Sequence, residues 1–155
     1  MSLGINEEYH ILCGLNIELG SWHSYGGEKF NLKSAQMDFV LVSCKGIFLI
    51  EVKNWSKHYY NKSTNLSPHE QLDRGGRVLY NFLGSKLEHN VAIQRNIKKI
   101  LIPIQSNIPY NPDYKFVWVL RLDEINYFIS SQRDVLSDYE VKRIIAILNQ
   151  FVTYK

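Results

Sequence analysis

Hydrophobic and polar residues alternate from Tyr9 to Leu19. Ile11, Cys13, Leu15, Ile17 and Leu19 fall on one side, with His10, Gly14, Asn16 and Glu18 on the other. A period of two predicts a half-buried strand with the first set facing the core. A Gly- and Ser-rich loop follows around Ser24-Tyr25-Gly26-Gly27. Met37–Ser43 and Ile47–Lys53 are dense in β-branched and aromatic residues and apolar on both faces, and only Cys44-Lys45-Gly46 separates them. They read as a central hairpin covered on each side.

After Lys53 the period changes. Ser67-Pro68-His69-Glu70 combines a capping Ser, a Pro at the first helical position and a Glu three residues on. The helix it opens is predicted to run to about Leu83 and stop at Gly84, with Gly75-Gly76 weakening its middle. Ser85-Lys86-Leu87-Glu88 repeats the capping pattern. Ile93, Ile97, Ile100, Leu101 and Ile104 then recur at helical spacing, so a second helix closed by Pro103 is predicted. Asn111-Pro112-Asp113 is turn chemistry, and Lys115–Arg121 and Tyr127–Ser131 read as two more strands. Ser137-Asp138-Tyr139-Glu140 caps a last helix with Val141, Ile144, Ile145, Leu148 and Phe151 on one face. A strand, a hairpin, two helices, two strands and a helix argue an α/β or α+β sandwich around a mixed sheet.

Composition narrows this without choosing a chemistry. The 155 residues are enough for one domain; 45% are hydrophobic and 21% charged, which excludes a disordered or low-complexity chain. Eighteen Lys and Arg against 15 Asp and Glu leave a net charge of +3, which permits a polyanionic partner without demanding one. There is no apolar run of membrane-spanning length and no signal-peptide pattern, so a cytoplasmic protein with no membrane partner is expected. Cys13 and Cys44 lie in apolar stretches and read as small core hydrophobes of a reducing compartment. The five histidines lack zinc-ligand spacing.

The hairpin carries charges that a pure core would not. If Cys44-Lys45 is a two-residue loop, Ser43 faces Gly46 and the same register sets Asp38 opposite Glu51. A bulge at Gly46 would shift that register by one. Lys53 lies two residues beyond Glu51 on the same face. Directly opposed carboxylates have Cβ atoms roughly 4.5–5.5 Å apart and repel each other. A hard divalent cation turns that repulsion into a binding site, because Mg²⁺ takes a few carboxylate oxygens and keeps its other positions for water and phosphate. Lys53 would then orient water or neutralise charge developing on a phosphoryl group. A plain salt bridge between strand residues is the competing reading.

Gln36-Met37-Asp38-Phe39-Val40-Leu41-Val42 followed by Gly46-Ile47-Phe48-Leu49-Ile50-Glu51-Val52-Lys53-Asn54-Trp55 resembles the nuclease-related domain, NERD, a branch of the PD-(D/E)XK nuclease superfamily. Ser67-Pro68-His69-Glu70-Gln71 is similar to that family's Pro-x-x-Gln at a helix start. The resemblance implies a restriction-endonuclease-like core over residues 1–155 as a single nuclease-related domain, with a mixed sheet flanked by helices. It implies a phosphodiesterase dependent on Mg²⁺ or Mn²⁺. Asp38 and Glu51 would hold the metal with the Val52 carbonyl, Lys53 would position water, Gln71 would assist, and Trp55 would mark the exit of the catalytic strand. It also implies a helix before the first strand carrying a further Glu. Only eight residues precede Tyr9, so Glu7 or Glu8 is left for that role and a trimmed front edge is expected.

The expected partner is nucleic acid, with DNA favoured over RNA by superfamily analogy; a homodimer would be needed to cut both strands in concert. Trp55, Lys57, Tyr59, Tyr60 and Lys62 interleave aromatic and basic residues, a pattern suited to stacking bases and meeting phosphates. Arg74, with Arg77, Arg95, Lys98 and Lys99 on the expected helices, would extend a backbone-contacting surface. His58 and His69 read as surface histidines, and Trp118 and Tyr127 as core. The alternative function is a nucleic-acid-binding or scaffold module with the same fold and little or no turnover.

Overall fold

The computed structural model describes residues 9–25, 30–54, 67–88, 90–105 and 108–153. The alternating N-terminal part forms β1 (His10–Tyr25), β2 (Phe30–Ser43) and β3 (Gly46–Lys53), paired antiparallel in sequence order. Helix α1 (Pro68–Lys86) and the short α2 (Val91–Arg95) carry the chain to β4 (Ile97–Pro103), which lies parallel to β3. β5 (Val117–Val119) is parallel to β4, and α3 (Ile125–Ser130) and α4 (Asp138–Leu148) follow. The described strands thus form one mixed five-stranded sheet in the order β1-β2-β3-β4-β5. With helices packed against it, this is the α+β architecture expected of a restriction-endonuclease-like core. Among the described residues, no helix is long and apolar enough to cross a membrane.

β3 explains why the sheet is central. Ile47 and Leu49 enter a core with α1 residues Leu72, Val78, Leu79 and Leu83 and α4 residues Val141, Ile144 and Leu148. Phe48 and Ile50 enter a second core with Leu41, Ile100, Ile102 and Ile129 of α3. A strand buried on both faces needs apolar residues at every position, which is the pattern its sequence has.

Four expectations are corrected. The isoleucine pattern from Ile93 to Ile104 is mostly β4, not a helix; spacings of three, four and seven also satisfy a strand buried on both sides, and β-branched residues suit it better. Its predicted start at Ser85 is instead the last turn of α1, which passes through Gly84 to Lys86 because Gly84 packs directly on the Gln94 side chain. Tyr127–Ser131 lies in and beyond α3, not in a strand, and the predicted strand Lys115–Arg121 shortens to β5.

In β1 the predicted face reverses partway. Leu15, Ile17 and Leu19 are buried as expected, but Ile11 and Cys13 are exposed and Leu12 is buried. The change falls at Gly14, whose φ of +67° is a conformation that favours glycine. Cys13 is therefore not a core residue, and Cys44 is half-buried in the β2–β3 turn; neither forms a disulfide.

Candidate active site

The β2–β3 turn sets the geometry of the site. Cys44 and Lys45 form the two-residue turn, and Ser43 pairs with Gly46 as predicted. Gly46 has φ +127°, and a Cβ there would lie 2.7 Å from the Asn96 carbonyl oxygen, so glycine is required. With no bulge to shift it, the ladder runs in register to Phe39↔Ile50. Asp38 and Glu51 follow directly beyond that last pair and line one cleft.

On its other side β2 meets β1, where the pairs step from Cys13↔Phe39 to Leu15↔Met37, leaving Gly14 and Asp38 between them. At this point β2 changes the residues it buries, from Val40 and Val42 to Met37, and turns Asp38 and Phe39 outward. Asp38 thus leaves the sheet interior while Met37 and Val40 stay packed.

α1 completes the cleft. Ser67 caps it, its Oγ accepting from the Glu70 amide at 3.1 Å, and Pro68 occupies the first turn. One turn into the helix, Gln71 reaches a small cleft that it shares with Asp38, Glu51, Met37 and Gly75. Gly75 is buried, and a Cβ at that position would stand 3.3 Å from Leu49 Cδ2. The glycine pair therefore does more than weaken the helix: it lets α1 lie close enough to β3 to bring Gln71 over the carboxylates. A glycine doublet two turns after a helix start is the signal for such an approach.

Glu51 and Lys53 stand together, Nζ to Oε1 3.0 Å, each side chain 19% exposed. Burial pushes the Glu51 carboxyl above its ordinary range. Lys53 opposes that shift by its charge and hydrogen bond, and Asp38 adds to it by repulsion. The strand end is held by the Ile104 amide, which donates to the Lys53 carbonyl at 2.8 Å, and by the pairing of Val52 with Ile102. A half-buried carboxylate raised by burial and by a second carboxylate suits a hard divalent cation, which would relieve both costs. Two carboxylates and a backbone carbonyl are oxygen donors of the type that Mg²⁺ and Mn²⁺ prefer. Among the described residues no group of three or more His, Cys, Asp and Glu side chains gathers to hold a metal. Glu7 and Glu8 lie outside the described residues.

A polar network that the sequence did not reveal borders α1. Tyr114 Oη donates to Glu70 Oε1 at 2.9 Å, and Arg74 Nε lies 3.5 Å from Glu70 Oε2. The Tyr114 hydroxyl is pushed up to about 12, by burial first and then by the hydrogen bond and charge of Glu70, so it remains a donor. Glu70 is 44 residues from Tyr114, a separation that no local pattern spans.

Several expected contacts fall elsewhere. Trp55, Lys57, His58, Tyr59, Tyr60 and Lys62 lie outside the described residues. Arg74 is half-buried on α1 and pairs with Glu70. His69 is no surface histidine: it is 1% exposed, with Nε2 2.7 Å from the Pro109 carbonyl and its ring stacked on Tyr114. Lys98 and Lys99 are on β4, not on a helix. Tyr127 is exposed rather than core, while Trp118 is half-buried against Phe128.

No curated protein and no solved structure gives a match to this chain. A family profile described as nuclease-related domain matches residues 2–111, which contain β1 to β4, α1 and the whole Asp38–Glu51–Lys53–Gln71 constellation. On that match the chain belongs to the nuclease-related domain (NERD) family, which relates it to nucleases.

Proposed function

We propose that this chain hydrolyses nucleic-acid phosphodiester bonds with the help of a divalent cation, Mg²⁺ or Mn²⁺. The observation that carries the reading is the cleft shared by Asp38, Glu51 and Gln71, with Lys53 3.0 Å from Glu51. Asp38 and Glu51 would hold the cation together with the Val52 carbonyl. When bound, such a cation polarises the scissile phosphate and lowers the pKa of water beside it.

The side chains supply the rest. Lys53 keeps a positive charge next to the reacting phosphate, where it orients the attacking water and offsets charge developing on the phosphoryl oxygens. Gln71 offers an amide to the same cleft and can hydrogen-bond a phosphate oxygen or that water. In the reaction the water oxygen forms a new bond to phosphorus, one P–O ester bond breaks, and the released alkoxide takes up a proton. DNA is the favoured substrate by superfamily analogy, and two copies of the chain would be needed to cut both strands in concert. Residues 1–155 act as a single domain in this reading.

The test is cleavage of plasmid and of single-stranded DNA and RNA in Mg²⁺ or Mn²⁺, with chelator as control. Cleavage that needs metal, and falls at least about 100-fold in Lys53→Ala, is the expected result. Equal activity in Lys53→Ala and the parent protein removes Lys53 from the mechanism. Salt-dependent binding of nucleic acid with no cleavage under any metal makes the chain a binding module instead.

A further inference from the structure

A second cavity lies apart from the carboxylate cleft. It is a pocket of about 330 Å³ on the opposite flank of α1, between that helix, α2 and β4. Its position follows from the helix period: Gln71, Leu72 and Gly75 point toward the carboxylate cleft, while Asp73, Gly76, Arg77 and Tyr80 line the second pocket. The residues that build it bring three kinds of chemistry together. Arg77 is exposed, with its guanidinium 5.5 Å from the centre of the Tyr80 ring. Lys99 comes from β4 across Gly76, close enough that a Cβ on Gly76 would touch its stem. Its ammonium lies 2.6 Å from Asp73 Oδ1. Gln94 closes one wall, buried, with its Nε2 donating to the Tyr80 carbonyl at 3.1 Å.

We infer that this pocket is a binding site for a phosphorylated nucleoside. Its volume is at the lower end of small-ligand sites, which suits one nucleotide. Tyr80 and the Arg77 plane form a platform of the kind on which bases stack. Arg77 and Lys99 against Asp73 leave the lining one positive charge in excess, and Arg77 carries it at the mouth, where a phosphate can be met. Asp73 is the element that weakens the site, because it holds the Lys99 ammonium and repels an anion. Lys99 is held in place by its passage over Gly76, so its charge is positioned before any ligand arrives. The pocket shares no lining residue with the carboxylate cleft, and its assignment stands whether or not that cleft is catalytic.

The same chemistry can come from a free nucleotide or from one residue of a strand, and two titrations separate these sources. The probes are 5′-AMP and a short single-stranded oligonucleotide, each added to protein carrying Glu51→Gln so that no cleavage intervenes. Inorganic phosphate serves as the control. Binding of 5′-AMP with a Kd below about 1 mM is expected. Arg77→Ala, at an exposed position that leaves the fold intact, should weaken it about tenfold. Tyr80→Ala should weaken 5′-AMP while leaving phosphate unchanged, and Asp73→Asn should tighten both. A tenfold loss for the oligonucleotide in Arg77→Ala assigns the site to a strand, and a loss confined to 5′-AMP assigns it to a free nucleotide. Lack of 5′-AMP binding, or equal affinity in Arg77→Ala and its parent, overturns the inference.

Discussion

Replacing Lys53 by Ala probes the charge balance of the site through stability alone. In the folded protein the Glu51 carboxylate is four-fifths buried and faces Lys53 at 3.0 Å. Exposed pairs of this type contribute about 0.2–1 kcal/mol, and breaking a fully buried one costs about 3–5 kcal/mol. At 19% exposure for both partners, Lys53→Ala is expected to cost about 1.5–2.5 kcal/mol at neutral pH, after discounting for solvent screening. For a chain of this length that lowers Tm by roughly 3–10 °C.

The pH dependence identifies the cause. Burial holds the Glu51 carboxyl above its unfolded value of 4.5, so the folded state favours the proton. That group therefore supports the fold below the unfolded value, and the support is lost as pH rises through the folded value. Removing Lys53 takes away the largest influence opposing the shift, so the loss on raising pH becomes larger. Thermal unfolding of metal-free protein at pH 4.5 and pH 8 is the assay. Lys53→Ala should be much less stable than the parent at pH 8 and close to it at pH 4.5. The double variant Glu51→Gln/Lys53→Ala should recover most of the loss at pH 8. Equal destabilisation at both pH values, or no recovery in the double variant, would mean that Lys53 acts by packing its stem and not by its charge.

Three further outcomes follow from the structure. Mn²⁺ at about ten times its Kd should stabilise the protein by about 1.4 kcal/mol, or roughly 3–5 °C in Tm, and Asp38→Asn or Glu51→Gln should abolish that shift in thermal scans. Gly75→Val should force α1 off Leu49, costing about 1–3 kcal/mol in chemical denaturation, and it should reduce cleavage by moving Gln71. Ser137→Ala removes the cap that accepts from the Glu140 amide at 3.1 Å; it should cost about 1 kcal/mol and leave cleavage per folded molecule unchanged.

The parts of this fold that could be read from the sequence are those set by neighbouring residues. Ser67 and Ser137 cap helices as their local patterns require, and the capping box at Ser137 closes from both sides. The β2–β3 register could be derived because a two-residue turn leaves no freedom between Ser43 and Gly46. Asp38 and Glu51 lie just beyond the last pair of that ladder and line one cleft. The errors came where the deciding contact is distant. Ile97–Pro103 is a strand because β3 and β5 flank it, and nothing in its own isoleucine spacing tells that from a helix. The β1 faces reverse because Gly14 takes a positive φ beside Asp38, and a glycine inside an alternating strand was the available warning. The pocket beside Arg77 joins residues of α1, α2 and β4 from Asp73 to Lys99, so no local pattern reveals it.

The central claim is that Asp38 and Glu51, which line one cleft at the end of the β2–β3 hairpin, hold a divalent cation. Calorimetric titration of Mn²⁺ into the parent protein and into Asp38→Asn and Glu51→Gln tests it directly. The account predicts saturable binding at millimolar metal or below, growing tighter as pH rises and Glu51 loses its proton, and absent in both variants. Unchanged Mn²⁺ binding in Glu51→Gln, or no binding to the parent protein at millimolar metal, would contradict it.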